Sequence, residues 1–203
     1  MKKLLKLITM LFLASAMVIS CGGGSGSDVP STSDCTETVS ASDFEISDGE
    51  WTVHVYETSD FSTSKMELEA TVTNGAYEFT SGKASGTTDL EKAFSLMGDE
   101  MFEGTGITAE DAIEMLESMP DEQKNAMLRQ YMGIPEGYDL SWNGLTLKVK
   151  GTLSAEDLAE MEDFLDIEYM PEDTVIKTNG DKTKFTINVS FDGEEMEIIA
   201  IKK

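Results

Sequence analysis

The chain is poor in the residues that build most catalytic and metal centres. One histidine, His54, and two cysteines, Cys21 and Cys35, stand among 203 residues. Zinc sites made from Cys and His clusters are thereby excluded, and any Ser-His-Asp or Cys-His arrangement would have to use His54. No Gly-x-Ser-x-Gly elbow occurs. Gly104-Thr105-Gly106 lacks the third glycine and the preceding strand of a phosphate loop, and it reads as an ordinary loop. Basic residues are scarce too: 15 Lys and Arg face 39 Asp and Glu, a net charge of −24. Lys2, Lys3 and Lys6 sit in the first six residues, and the twelve remaining bases against 39 acids leave −27 on the rest. Such a body has no counterion-release route to nucleic acid and is repelled by anionic lipid headgroups. The uncharged apolar stretch from Leu7 to Ile19 is 13 residues long, whereas a membrane-crossing helix needs about 20.

What the N-terminus does have is an ordered set of signals. A basic stretch, Met1 to Lys6, precedes the short apolar run, the plan of a secretory signal peptide. Val18-Ile19-Ser20-Cys21 follows, with an aliphatic residue, a small residue and cysteine in register. This resembles the lipobox of bacterial lipoproteins. The resemblance implies diacylglyceryl transfer to the Cys21 thiol, cleavage before Cys21, and acylation, commonly with palmitate, of the new amine. Two or three acyl chains hold a soluble domain on a membrane where one does so only marginally. The Gly22 to Ser27 stretch and the Ser, Thr, Pro and acidic residues after it read as a flexible tether. The expected organisation is a signal peptide over 1–20, the lipidated cysteine and tether over 21–43, and one acidic domain over 44–203. Cys35 then stands in the tether as the free thiol, open to an intermolecular disulfide or inert and exposed. Gly22 lacks the Asp that signals inner-membrane retention in some Gram-negative lipoproteins, so the resemblance favours the outer membrane.

The body alternates in a way that predicts strands. Trp51, Val53 and Val55 share one face, with Thr52, His54 and Tyr56 opposite. Met66, Leu68, Ala70 and Val72 repeat the pattern and lead to Asn74-Gly75, the pair best suited to a two-residue hairpin turn. Tyr77 and Phe79 continue it. Further strands are expected ahead of Asn143-Gly144 and after it through Leu145, Leu147 and Val149. Thr174–Thr178 before Asn179-Gly180, Phe185–Phe191 before Asp192-Gly193, and Met196–Ile201 complete the set. Between them lies a helical block from Thr87 to Met132. Leu90, Phe94, Met97 and Met101 share one helical face, Thr108 caps the next helix, and Pro120 separates it from a third ending near Gly133. A fourth opens at Ser154, with Leu158, Met161 and Leu165 along its inner face. The openings Thr108-Ala-Glu-Asp and Ser154-Ala-Glu-Asp resemble each other, and convergent capping chemistry explains them better than duplication. The hairpins argue for an α+β fold on an antiparallel sheet, curved or barrel-like, with a central helical block and one further helix.

Within this frame His54 reads as a solvent-side or edge histidine. Residues 154–173 hold nine acids and no base, with Glu156, Glu160 and Asp163 along one helix face. They read as a solvated face, with calcium binding the alternative. The methionine pairs Met97/Met101 and Met115/Met119 read as core fillers rather than a copper site. Gly49-Glu50-Trp51 at the head of a first strand, followed by antiparallel hairpins, resembles the start of lipocalin-like bacterial domains. That resemblance implies a cavity for a small apolar ligand, lined by Trp51, Val53, Phe185, Ile187 and Val189, with Met97 and Met101 in a lid. The reading that follows is a lipid-anchored, non-catalytic binding or interaction module of the cell envelope, with no cofactor or metal. Its partners would be the membrane through Cys21 and an envelope protein. The alternative is the apolar-ligand carrier, and an acid-dependent hydrolase stands third with no nameable pair.

Overall fold

The computed structural model describes residues 29–40, 43–97, 108–132, 134–164, 174–191 and 194–203. The Val18–Cys21 motif, Met101, Leu165 and the turn expected at Asp192-Gly193 lie outside them. In order, the elements are β1 Glu37–Ser40, β2 Gly49–Thr58, β3 Ser62–Thr73, β4 Ala76–Asp89, α1 Leu90–Met97, α2 Ala109–Ser118 and α3 Asp121–Met132. Then come β5 Asp139–Asn143, β6 Thr146–Thr152, α4 Ala155–Phe164, β7 Val175–Thr178, β8 Lys184–Phe191 and β9 Glu194–Lys202. The fold is α+β and sheet-dominated, as the hairpin signals predict. Nine strands form one mostly antiparallel sheet in the order β1-β7-β8-β9-β2-β3-β4-β6-β5. It is open, with β1 and β5 at its edges. The barrel suggested by the lipocalin-like resemblance is therefore not formed, since closure would require those two edges to pair.

Local chemistry explains most boundaries. Asn74 and Gly75 both take positive φ, 55° and 80°, and join β3 to β4 directly, as a two-residue hairpin demands. Gly144, at φ 63°, opens the two-residue connection that brings Asn143 opposite Thr146. The Asn179-Gly180 pair behaves differently. Residues 179–183 form a longer loop in which Lys182, not Gly180, takes the positive φ, 52°. The Asn179 side chain organises that loop by accepting from the Thr183 and Lys184 amides at 2.9 and 3.0 Å. This local side-chain turn competes with the tight hairpin.

The helix openings share one device. The Asp111 amide donates to Thr108 Oγ1 at 3.1 Å and the Thr108 amide to the Asp111 carboxylate at 3.0 Å. Asp157 and Ser154 repeat both bonds at 3.2 and 2.7 Å. A shared capping box accounts for the likeness of the two sequences. Two boundaries differ from expectation. β4 runs on to Asp89, so the helical block starts at Leu90 rather than Thr87. Glu37–Ser40, expected in the tether, is the edge strand β1, paired antiparallel with β7 from Glu37↔Thr178 to Ser40↔Val175.

Contacts divide the chain into two units. One comprises Thr58–Ser64 and Ser85–Gly151. Its core is Leu90, Leu116 and Leu145, with Phe94, Ile113, Met119, Met127 and Trp142 packed against them. The other takes Lys65–Ala84, Thr152–Lys203 and the described residues up to Glu57. Its buried side chains include Trp51, Leu68, Met161, Ile176, Ile187 and Ile199. In this unit Gly82 sits in close contact with neighbouring side chains. A Cβ there would lie 2.7 Å from Leu68 and 2.8 Å from Leu153, and the Gly82 carbonyl accepts from the Leu153 amide at 2.9 Å. Gly82→Ala should therefore overpack the seat of α4 and destabilise the protein by roughly 1–3 kcal/mol. A denaturant midpoint equal to wild type would show that the seat yields freely.

Candidate functional site

β2 sorts its side chains by alternation. Trp51, Val53 and Val55 are buried on one face. Across β8 and β9, Phe185, Ile187 and Val189 stand opposite Ala200, Ile198 and Met196, and all six are buried. The Trp51 and Phe185 rings meet at 5.6 Å between centroids, and Phe44 packs edge-on against Phe185 at 4.8 Å. The Trp51 indole N–H donates to the Ser47 carbonyl at 3.0 Å. All five strand residues named from sequence as ligand-lining are thus buried side chains. Met97 ends α1 and its side chain, like Met101, lies outside the described residues.

The opposite face of β2 carries the chemistry-bearing groups. His54 and Tyr56 stack with ring centroids 6.1 Å apart, and the Lys65 ammonium lies 5.7 Å above the Tyr56 ring. Glu67 Oε2 is 3.8 Å from both His54 Nδ1 and Lys65 Nζ. Thr52 Oγ1 donates to Glu69 at 3.3 Å, and Lys203 pairs with the same carboxylate. His54 is not the solvent-side residue its lone position suggested: its side chain is 12% exposed. Nδ1 is buried and has no hydrogen-bond partner among the described residues. Burial holds the imidazole pKa below its ordinary value, and Glu67 opposes that shift. The cluster sets a half-buried imidazole, its pKa lowered, beside a carboxylate too distant to bond it, with Lys65 on the other side of that carboxylate. It is suited to polar recognition and to sensing protons.

Two acids beside the candidate cation face of Glu156, Glu160 and Asp163 have structural work. Asp157 caps α4, and Glu162 accepts from the Phe79 amide at 2.7 Å. The side chains of Glu160 and Asp163 lie outside the described residues. Among the described residues no group of three His, Cys, Asp or Glu converges. Two positions escaped the sequence reading, and a third differs from it. Glu57 continues the Trp51-Val53-Val55 face and is buried with it; its place in the period of two is the signal that could have found it. Lys124 is buried beside the Trp142 ring, 4.9 Å away, and 3.5 Å from Asp121. Cys35, expected inert and exposed or in an intermolecular disulfide, is buried and free. No protein-family model matches the chain, and neither does any curated protein or solved structure.

The lowered His54 pKa fixes a sign. The folded state binds fewer protons than the unfolded chain between the folded value and about 6.5, so stability falls as pH drops through that window. Wild type should lose thermal stability on going from pH 7 towards pH 5 more steeply than His54→Gln. Parallel melting curves against pH for the two proteins would contradict the assignment.

Proposed function

We propose that this chain is a bacterial lipoprotein held in the cell envelope through Cys21, and that its acidic body is a non-catalytic binding or interaction module. The observation that carries the reading is the N-terminal series: a basic flank, an apolar run of 13 residues, then Val18-Ile19-Ser20-Cys21. Among the described residues no helix is long and apolar enough to cross a membrane, and a lipid anchor asks for none. The charge fits the same reading. A body near −27 is repelled by anionic lipid, so attachment falls to the acyl chains rather than to the protein surface. Tyr56, Lys65 and Glu67 give this face of the sheet a half-buried polar surface, which favours a hydrophilic protein partner over an apolar metabolite.

Cys21→Ala should remain unacylated by intact mass and leave the membrane fraction. Retention of that variant on membranes would remove the lipobox from the account. Native mass spectrometry of the wild-type protein separates the two binding readings. A bound apolar molecule carried through purification would replace the interaction module with a carrier.

A further inference from the structure

Lys184, from the far end of the chain, holds the start of the segment before β2 against the body. Lys184 opens β8, and the Asn179 loop that precedes it fixes its backbone. Its ammonium donates to both oxygens of Asp34, at 3.0 and 2.9 Å, and to the Ser31 carbonyl at 3.1 Å. The Lys184 carbonyl accepts from Thr178 Oγ1 at 3.0 Å and faces the Cys35 thiol at 3.9 Å. The Cys35 amide closes a turn onto the Thr32 carbonyl at 3.0 Å. Beyond it, β1 adds four residue pairs with β7. The side chains of β1 bury little: Glu37, Thr38 and Ser40 are exposed. Cys35 is the segment's buried apolar contact, 6% exposed. An edge strand with a short ladder, a charged clasp and one buried side chain belongs to the low-stability end of a fold. β8 and β9, by contrast, pair over eight positions, from Lys184↔Ile201 to Phe191↔Glu194.

We propose that Ser31–Ser40 is a strap with Lys184 as its clasp, which opens and closes as a unit while the rest of the body stays folded, and which seals Cys35 when closed. The strap goes beyond the envelope reading and stands without it. Joined to that reading, it takes Ser31–Ser40 out of the membrane tether, so closing draws the body towards its anchor and opening releases it. Load applied through Cys21 would fall first on the β1–β7 ladder and on Lys184.

The two effects of removing Lys184 have opposite signs at Cys35. The ammonium favours the thiolate, so loss of its charge alone slows alkylation of the thiol. Loss of the clasp exposes the thiol and speeds alkylation. The experiment is iodoacetamide labelling of the full chain, read at Cys35 by peptide mass, so that the state of Cys21 does not enter. Lys184→Ala should label about tenfold faster than wild type, with an unchanged thermal midpoint, and Lys184→Arg should stay near the wild-type rate. Val39→Pro, which breaks the short ladder, should also accelerate labelling and serves if Lys184→Ala does not fold. Labelling of the variants at or below the wild-type rate would overturn the strap. So would a Cys35 rate in wild type that follows global unfolding across a denaturant series.

Discussion

The sheet depends on one seam. β2, β3 and β4 follow one another along the chain and lie side by side, and so do β7, β8 and β9. Each run is built from local connections. What makes them a single sheet is β9 lying beside β2, although more than a hundred residues separate them in sequence. The Lys203 amide donates to the Glu50 carbonyl at 2.9 Å, and the Lys203 side chain pairs with Glu69. On the apolar side Trp51 of β2 meets Phe185 of β8. The His54 cluster touches this seam through Glu69, which takes both Thr52 of β2 and Lys203. The strap depends on it at one remove, since β7 and β8 hold their places only if β9 does.

Scarcity of positive charge shapes the rest. With twelve bases after Lys6 and 39 acids, each cation meets a choice of partners, and several are committed to structure. Lys65 lies near Glu67, Lys124 near Asp121, Lys184 at Asp34 and Lys203 at Glu69. Arg129 is spent on the carbonyls of Pro135 and Tyr138. Acids are used where backbone donors can hold them, as in the capping boxes of α2 and α4. The Thr108 bonds hold the Asp111 carboxyl below its ordinary pKa, which favours the charge that the helix start also prefers. The acidity is therefore a solvated surface with a few built-in functions, and exposed pairs of this kind contribute modestly and weaken with salt.

Features that depend on neighbours in sequence were legible there. The alternation from Trp51 to Tyr56 reads as a strand from composition alone, Asn74-Gly75 as its neighbour's turn, and Thr108 and Ser154 as caps. Met161 and Met196 are buried and Met119 and Met127 pack on the leucine core, the core-filling use expected of such stripes, although Met115 is 40% exposed. Features that need a distant partner were not legible. Glu37-Thr-Val-Ser is too short and polar to announce a strand, and it becomes one because β7 offers an edge. Cys35 is buried because Lys184 lies 149 residues away in sequence and beside it in space. Asn179-Gly180 shows the converse: its local signal is strong, but the Asn179 side chain takes the amides of Thr183 and Lys184 and lengthens the turn. His54 was legible as a strand residue, but its half-burial was not, because Lys65 and Glu67 beside it come from the neighbouring strand β3.

Amide hydrogen exchange of the native full chain tests the seam most directly. Amides of β2, β8 and β9 should exchange slowest and share one free energy of opening, because parting the seam dismantles the sheet. Exchange of β9 at the rate of the edge strand β1, with β2 still protected, would contradict the claim that the seam holds the fold together.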